Sequence, residues 1–372
     1  MSPTNEIQNE LLRLQNELKR GTSVISLSGL TSISAKSYVL TNLQNNQKNT
    51  FVIITDSNNE LEIYENDLEF WQSKIENRKS KIETLPSFEI DIYSSISPHA
   101  ETLERRALAL WNLTISPPDF LLTSAKSLIT KILSPTETKK LGANVQRDKD
   151  FSPESLIEKL ASCGYVREEP LKNVGEFSVR GGIIDVWSPD AENPVRIEFF
   201  GDTVDSIREF NAETQLSIQQ LKETSLAPMR EFSANSIDFK DWSFFATERF
   251  SDERFARNLK DRTQFSVEGE SFAGWEFLIS LVKPRTSSIF DYLKNCVLVI
   301  DEPTAIEHHL GEFYENIERR FAETDERDEI GLEPNELFLS VTELREKFAK
   351  HQRLELRALG SSASKIDEEF AF

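Results

Sequence analysis

Hydrophobic periodicity changes class twice along this chain, and the two switches leave few architectures open. Up to about residue 135, short apolar runs alternate with helical stripes, as in a doubly wound sheet. Ile7, Leu11, Leu12, Leu14 and Leu18 form an amphipathic entry helix over 5–20 that Gly21 stops. A strand over Ser23–Ser28, a turn at Gly29 and a helix over Ala35–Leu43 follow. Phe51–Thr55 is an apolar run closed by Asp56, the pattern of a parallel strand covered on both faces, and a helix over Glu60–Trp71 succeeds it. A further strand is predicted at Phe88–Tyr93. Ser97-Pro98 then opens a helix with Leu103, Ala107, Leu110 and Trp111 inward, and Asp119–Thr123 gives another buried strand.

The first switch follows a short helix over 151–164, with Ser152 as cap, Pro153 in its first turn and Gly164 as terminator. From Gly175 to Phe210 the period is two, through Phe177 and Val179, then Ile183, Asp185 and Trp187, then Val195, Ile197 and Phe199, with Gly201-Asp202 turning into Val204–Phe210. This is an antiparallel sheet. The chain after Pro228 reads as irregular and aromatic-rich until Val297–Ile300, where an apolar strand returns and runs into Asp301-Glu302-Pro303, with helices expected at 304–322 and 341–351. An antiparallel domain inserted into an α/β lobe is therefore predicted: 1–138 and 223–355 for the two parts of the lobe, 139–222 for the insert. Gly360–Phe372, Ser-rich and acidic, reads as part of a linker over 356–372, cut from a longer protein.

A chain of 372 residues exceeds one ordinary core, and its 25 Phe and 5 Trp supply the apolar area that several packed domains need. The net charge of -20 disfavours direct binding to a polyanion, so work on DNA is expected to pass through a partner. Cys163 and Cys296 are expected as reduced core thiols of a cytoplasmic protein. His99, His308, His309 and His351 make no array with metal-ligand spacing, so neither metal nor cofactor is predicted, and no membrane-length apolar run or signal segment is present in the sequence.

Two motifs resemble catalytic parts. The turn Gly29-Leu30-Thr31-Ser32-Ile33-Ser34-Ala35-Lys36-Ser37 has the outline of a phosphate-binding loop, but Leu30 and Ala35 stand where its glycines belong, and side chains there resist the backbone wrap a phosphate requires. Lys36 and Ser37 are expected in the first turn of a helix, exposed and solvated. Asp301-Glu302 after an apolar strand resembles the magnesium-holding pair of a motor ATPase. With no intact loop opposite, it is expected to be a strand-to-helix corner. No nucleophile with a base appears elsewhere.

Gly164-Tyr165-Val166-Arg167, Gly175-Glu176-Phe177-Ser178-Val179-Arg180-Gly181-Gly182-Ile183-Ile184-Asp185-Val186-Trp187 and Pro194-Val195-Arg196-Ile197-Glu198-Phe199-Phe200-Gly201-Asp202 through Ser206-Ile207-Arg208-Glu209-Phe210 together resemble the second domain shared by the UvrB and Mfd families. UvrB proteins keep an intact phosphate loop and a tyrosine-rich hairpin. Here Phe88–Tyr93 leads straight into Ser97-Pro98-His99, which points to Mfd, the bacterial transcription-repair coupling factors. Phe272-Ala273-Gly274-Trp275-Glu276-Phe277 and Ile289-Phe290-Asp291-Tyr292-Leu293 are similar to the same family.

The resemblance implies a degenerate P-loop, RecA-like α/β lobe in two parts around an inserted domain that binds UvrA. RNA polymerase and damaged DNA would be reached only through domains outside these residues, and the piece itself would be no enzyme. Arg180 is the leading interface candidate, because a guanidinium at a strand end makes bidentate contacts with a carboxylate. Gly181-Gly182 leaves the neighbouring surface bare, Arg167 precedes the sheet, and Phe177, which shares a face with Val179, fits the core as well as the interface. Arg196 and Arg208 are expected to pair with Glu198 or Glu209 across strands. The rival readings are a UvrB-like ATP-dependent helicase and a scaffold for another charged partner.

Overall fold

A computed structural model describes residues 3–45, 47–75 and 81–358, with 3–7 as backbone only. The segment 359–372, which holds most of the expected linker, lies outside the described residues, as does the side chain of Ile7.

The lobe begins with β1 (Val24–Ser28), β2 (Thr50–Thr55), β3 (Ile82–Leu85) and β4 (Phe120–Ser124). The insert contributes β5 (Ala143–Gln146), β6 (Val166–Arg167), β7 (Glu176–Arg180), β8 (Ile183–Val186), β9 (Val195–Phe200), β10 (Thr203–Phe210), β11 (Ser217–Leu221) and β12 (Glu223–Leu226). The chain returns to the lobe for β13 (Cys296–Asp301) and β14 (Gln352–Arg357).

The lobe sheet has six strands in the order β1-β14-β13-β2-β4-β3, every pairing parallel. β2, β4 and β13 are buried along their whole length, because alternate residues enter two different cores. Phe51, Ile53, Phe120, Leu122, Val297 and Val299 pack with Leu18, Leu40, Leu61 and Leu68 of the helices Pro3–Arg20, Ile33–Gln44 and Asn58–Ile75. Val52, Ile54, Leu121, Leu298 and Ile300 pack with Leu110, Trp242 and Leu310 of the helices Ala100–Ile115, Ser236–Arg249 and Pro303–Glu326. The lobe is a three-layer α/β unit.

Several expectations need correction. Phe88–Tyr93 is not a strand; the ladder strand is Ile82–Leu85, and the residues after it turn through Glu89 at φ 52. Pro98 does not start the next helix, which begins at Ala100 with His99 at its cap. The aromatic stretch after Pro228 is not irregular throughout: Asn235 and Asp238 form a capping box for Ser236–Arg249, and a second helix spans Ala256–Ser266. A strand follows the helix Val341–Ala349, with Leu354 and Leu356 fully buried in the middle of the sheet.

In the insert, one six-stranded sheet runs β11-β10-β9-β8-β7-β6, antiparallel except for the β6–β7 pair. Its inner face carries Phe177, Ile184, Val186, Val195, Ile197 and Ile207 onto Leu156 and Leu160 of the helix Pro153–Ser162, where Ser152 caps and Pro153 occupies the first turn. β5 and β12 pair antiparallel where the chain enters and leaves the insert. Just beyond this exit, Glu231 is buried between Arg106 and Arg285: Arg106 Nε donates to its carboxylate at 2.7 Å, and Arg285 stands 3.9 Å from the other oxygen. The same Arg106 donates to the Pro86 carbonyl and the Ser127 hydroxyl, so the chain leaving the insert is tied to the lobe by one buried charge cluster. Both cysteines are buried and free.

Candidate protein-docking site

The outer face of the insert sheet is built from the opposite parity to its core. Because successive side chains alternate, Ser178 and Arg180 on β7, Ile183 and Asp185 on β8, and Arg196, Glu198 and Phe200 on β9 point away from the helix. Asp185 is the hub of this face. Its side chain is 2% exposed and accepts from Arg180 Nη2 at 2.8 Å and from Arg196 Nε and Nη2 at 2.7 and 2.8 Å. The bidentate pair holds the Arg196 guanidinium above its ordinary pKa. Arg196 also lies over the Phe210 ring, 4.6 Å from its centroid, and Arg208 pairs with Glu198.

Arg180 meets the solvent at this hub. Its side chain is 46% exposed and its Nε is 3.7 Å from Glu169, so one edge of the guanidinium is anchored and much of the rest is open. The β7–β8 turn needs glycine twice, for different reasons. Gly181 has φ +60, in the left-handed region, with open space where a side chain would stand. Gly182 accepts the Phe199 N–H at 2.8 Å, and a Cβ there would sit 2.9 Å from the Phe199 carbonyl oxygen. The bare turn beside Arg180 is thus a product of strand pairing. Phe200, two residues from the centre of the β9–β10 turn, is 85% exposed on the same outer face.

Two site residues stand elsewhere than expected. Phe177 is 2% exposed and belongs to the core under the sheet, so no partner touches it; its register opposite Val186 turns it inward. Arg167 is exposed on the edge strand β6, but it pairs with Phe177 and therefore leaves the sheet on the side opposite Arg180. Arg196 pairs with Asp185 and not with Glu198, whereas Arg208 does pair with Glu198. Asp185, Arg196 and Phe200 were missed as site residues. Their signal was the second parity of the alternating stretch, the positions between the apolar ones.

The turn after β1, residues 29–37, is closed by bonds within its own chain. Gly29, at φ +90, donates its N–H to the Arg357 carbonyl at 3.0 Å, extending the β1–β14 ladder. Ser32 caps the helix Ile33–Gln44 by accepting from the Ala35 N–H, a donor that a phosphate would otherwise use. Lys36 and Ser37 are buried, not exposed and solvated, because the Lys36 ammonium reaches across to Asp301 and lies 3.0 Å from Glu302. Tyr64 donates its hydroxyl to the other Asp301 oxygen at 2.6 Å. Burial pulls the Lys36 pKa down, but hydrogen bonds and attraction from the two carboxylates outweigh it and the net shift is upward. Burial first, then the charges of Asp56 and Asp301, pushes the neighbouring Glu60 carboxyl up to about 7. Glu302 takes a left-handed φ of 52 and accepts the Ala358 N–H at 2.7 Å. The Asp301-Glu302 corner is occupied by the lysine of its own chain.

Among the described residues, no group of three His, Cys, Asp or Glu is placed to hold a metal ion, and no helix is long and apolar enough to cross a membrane. The sheet therefore has two unlike sides, an apolar one over the helix Pro153–Ser162 and an outer one where two arginines are tied to one buried aspartate, and residues 144–232 match the family described as UvrB interaction domain. Beyond that domain, the chain is similar to transcription-repair-coupling factors. It is 31% identical over 282 residues to that of Myxococcus xanthus, which covers 73% of this chain and 23% of the relative. Identity is 25% over 276 residues to the Haemophilus influenzae protein, covering 73% of this chain and 24% of the relative. It is 29% over 244 residues to the Bacillus subtilis protein, covering 62% and 21%. The chain spans about a quarter of the length of the curated relatives it matches.

Proposed function

We propose that this chain is the UvrA-recruiting part of a transcription-repair coupling factor, acting by docking and without turning over nucleotide. The observation that carries the reading is the outer face of the insert sheet, where Arg180 is held by Asp185 yet remains half open beside the bare Gly181-Gly182 turn. Preorganised arginine at a rim of small residues suits recognition of a partner carboxylate, since little side-chain entropy remains to be lost. Phe200 supplies an aromatic anchor on the same face, whereas Arg167 is exposed on the edge strand but leaves the sheet on the other side. The division into a split lobe, 1–138 and 223–355, around an insert at 139–222 belongs to this proposal. Contacts with RNA polymerase and damaged DNA are assigned to other domains of the parent protein, and the net charge of -20 supports that division of labour.

Absence of catalysis is supported by the ion cluster: an ATP phosphate entering the corner must displace Lys36 from two carboxylates. The test is calorimetric titration of purified UvrA into this chain and its Arg180→Ala and Arg167→Ala variants. Wild-type binding that falls at least tenfold in Arg180→Ala supports the site. Unchanged binding in both variants removes the site, and no binding by the wild type removes the function. A rise in melting temperature with millimolar magnesium-ATP would revive the helicase reading.

A further inference from the structure

The helix Ser236–Arg249 buries one face, Phe239, Trp242, Ser243 and Ala246, against the lobe core and leaves a second apolar stripe uncovered. Ile237, Phe244 and Phe245 are exposed along it, the rings of Phe244 and Phe245 pack edge to face, and Val267, capping the neighbouring helix Ala256–Ser266, lies beside Phe244. Singly exposed apolar residues are ordinary, but a contiguous aromatic patch of this kind marks an interaction surface. An open groove of about 580 Å³ runs beside Phe244, lined by Lys240, Ser243, Thr247, Glu248 and Val267. Lys240 and Glu248 are exposed, four residues either side of Phe244, and neither forms an ion pair among the described residues.

We infer that this stripe is a self-complementary surface on which a second copy of the chain docks. In an antiparallel helix pair with its two-fold axis over Phe244, Lys240 of each copy meets the partner's Glu248, twice. The two phenylalanines at 244 lie side by side, each beside the groove that Thr247 and Val267 line. One cation and one anion at equal distances from an aromatic centre is the charge pattern an isologous interface requires. One helix pair with a flank is a small interface, and a net charge of -20 on each copy opposes association until salt screens it to a range of about 8 Å. The dimer is therefore weak, forming at concentrations on the order of 10–1,000 μM. It goes beyond the function argued above, since none of its residues belongs to the insert sheet.

The test is sedimentation equilibrium of the 372-residue chain at physiological salt. The wild type is expected to pass from monomer to dimer across that range, and Phe244→Asp to remain monomeric. Lys240→Glu and Glu248→Lys each set like charges together twice and should weaken the dimer roughly tenfold. The double variant Lys240→Glu/Glu248→Lys should recover it. All three substituted positions are exposed, and circular dichroism melts check that the fold is kept. A wild type monomeric throughout, a dimer indifferent to Phe244→Asp, or a double variant no better than the singles overturns the inference.

Discussion

Lys36→Met isolates the contribution of the ion cluster at the filled nucleotide corner. Methionine keeps most of the stem that packs in the lobe and removes only the charge. The Lys36 and Asp301 side chains are 6% and 3% exposed, so the change strands a carboxylate away from water. Breaking a buried pair from one side costs about 3–5 kcal/mol. Asp301 keeps the Tyr64 hydroxyl at 2.6 Å, a charge-assisted bond worth about 1.5–3 kcal/mol, which places the expected loss at the lower end, about 3 kcal/mol. Asp301→Asn should cost less, about 2 kcal/mol, because Lys36 retains the half-exposed Glu302. The double variant should lose about 3 kcal/mol in all, well short of the sum, a coupling of about 2 kcal/mol. Urea unfolding of the four proteins, followed by circular dichroism, completes the cycle. Losses that add to within about 0.5 kcal/mol would show that the two groups do not stabilise one another and would refute the reasoning.

Burial holds a proton on Glu60 up to about pH 7, against an ordinary value of 4.5. The folded state therefore loses stability as pH rises from about 4.5, and the loss is complete above about 7. Glu60→Gln should melt higher than the wild type at pH 8 and converge with it towards pH 5; identical melting at pH 8 would count against the assignment. Phe177→Ala should cost about 3–5 kcal/mol in urea unfolding as a core truncation, whereas exposed Arg167→Ala should stay within about 0.5 kcal/mol. Asp185→Ala frees both Arg180 and Arg196, costs about 2 kcal/mol because both arginines regain some water, and lowers UvrA affinity as Arg180→Ala does; undiminished affinity would show that the arginines need no anchor.

Strands covered on both faces announce themselves, which is why β2, β4 and β13 were legible from composition alone. The inserted sheet was legible from its period of two. β14 was not, because Gln352, Arg353, Glu355 and Arg357 surround its two buried leucines and read as a polar tail to the helix before it. Lys36 was misplaced for a related reason. Its burial depends on Asp301 and Glu302, 265 and 266 residues away, and no local pattern shows that they face it. On the outer face of the insert sheet, Arg180 and the glycines were singled out through the turn they occupy. Asp185, between two apolar residues of β8, passed for an ordinary polar alternation, since its importance lies in two arginines on flanking strands. Phe177 failed because parity gives two faces without saying which one is covered.

The position of β14 sets an order on biosynthesis. β1 touches the lobe sheet only through β14, and the Gly29 N–H ends on Arg357. All six strands of the insert sheet, by contrast, lie between Val166 and Leu221. As the chain leaves the ribosome, the insert sheet has every strand it needs more than a hundred residues before β1 finds its neighbour. β1 and the turn at Gly29 are made long before the strand that pairs with them.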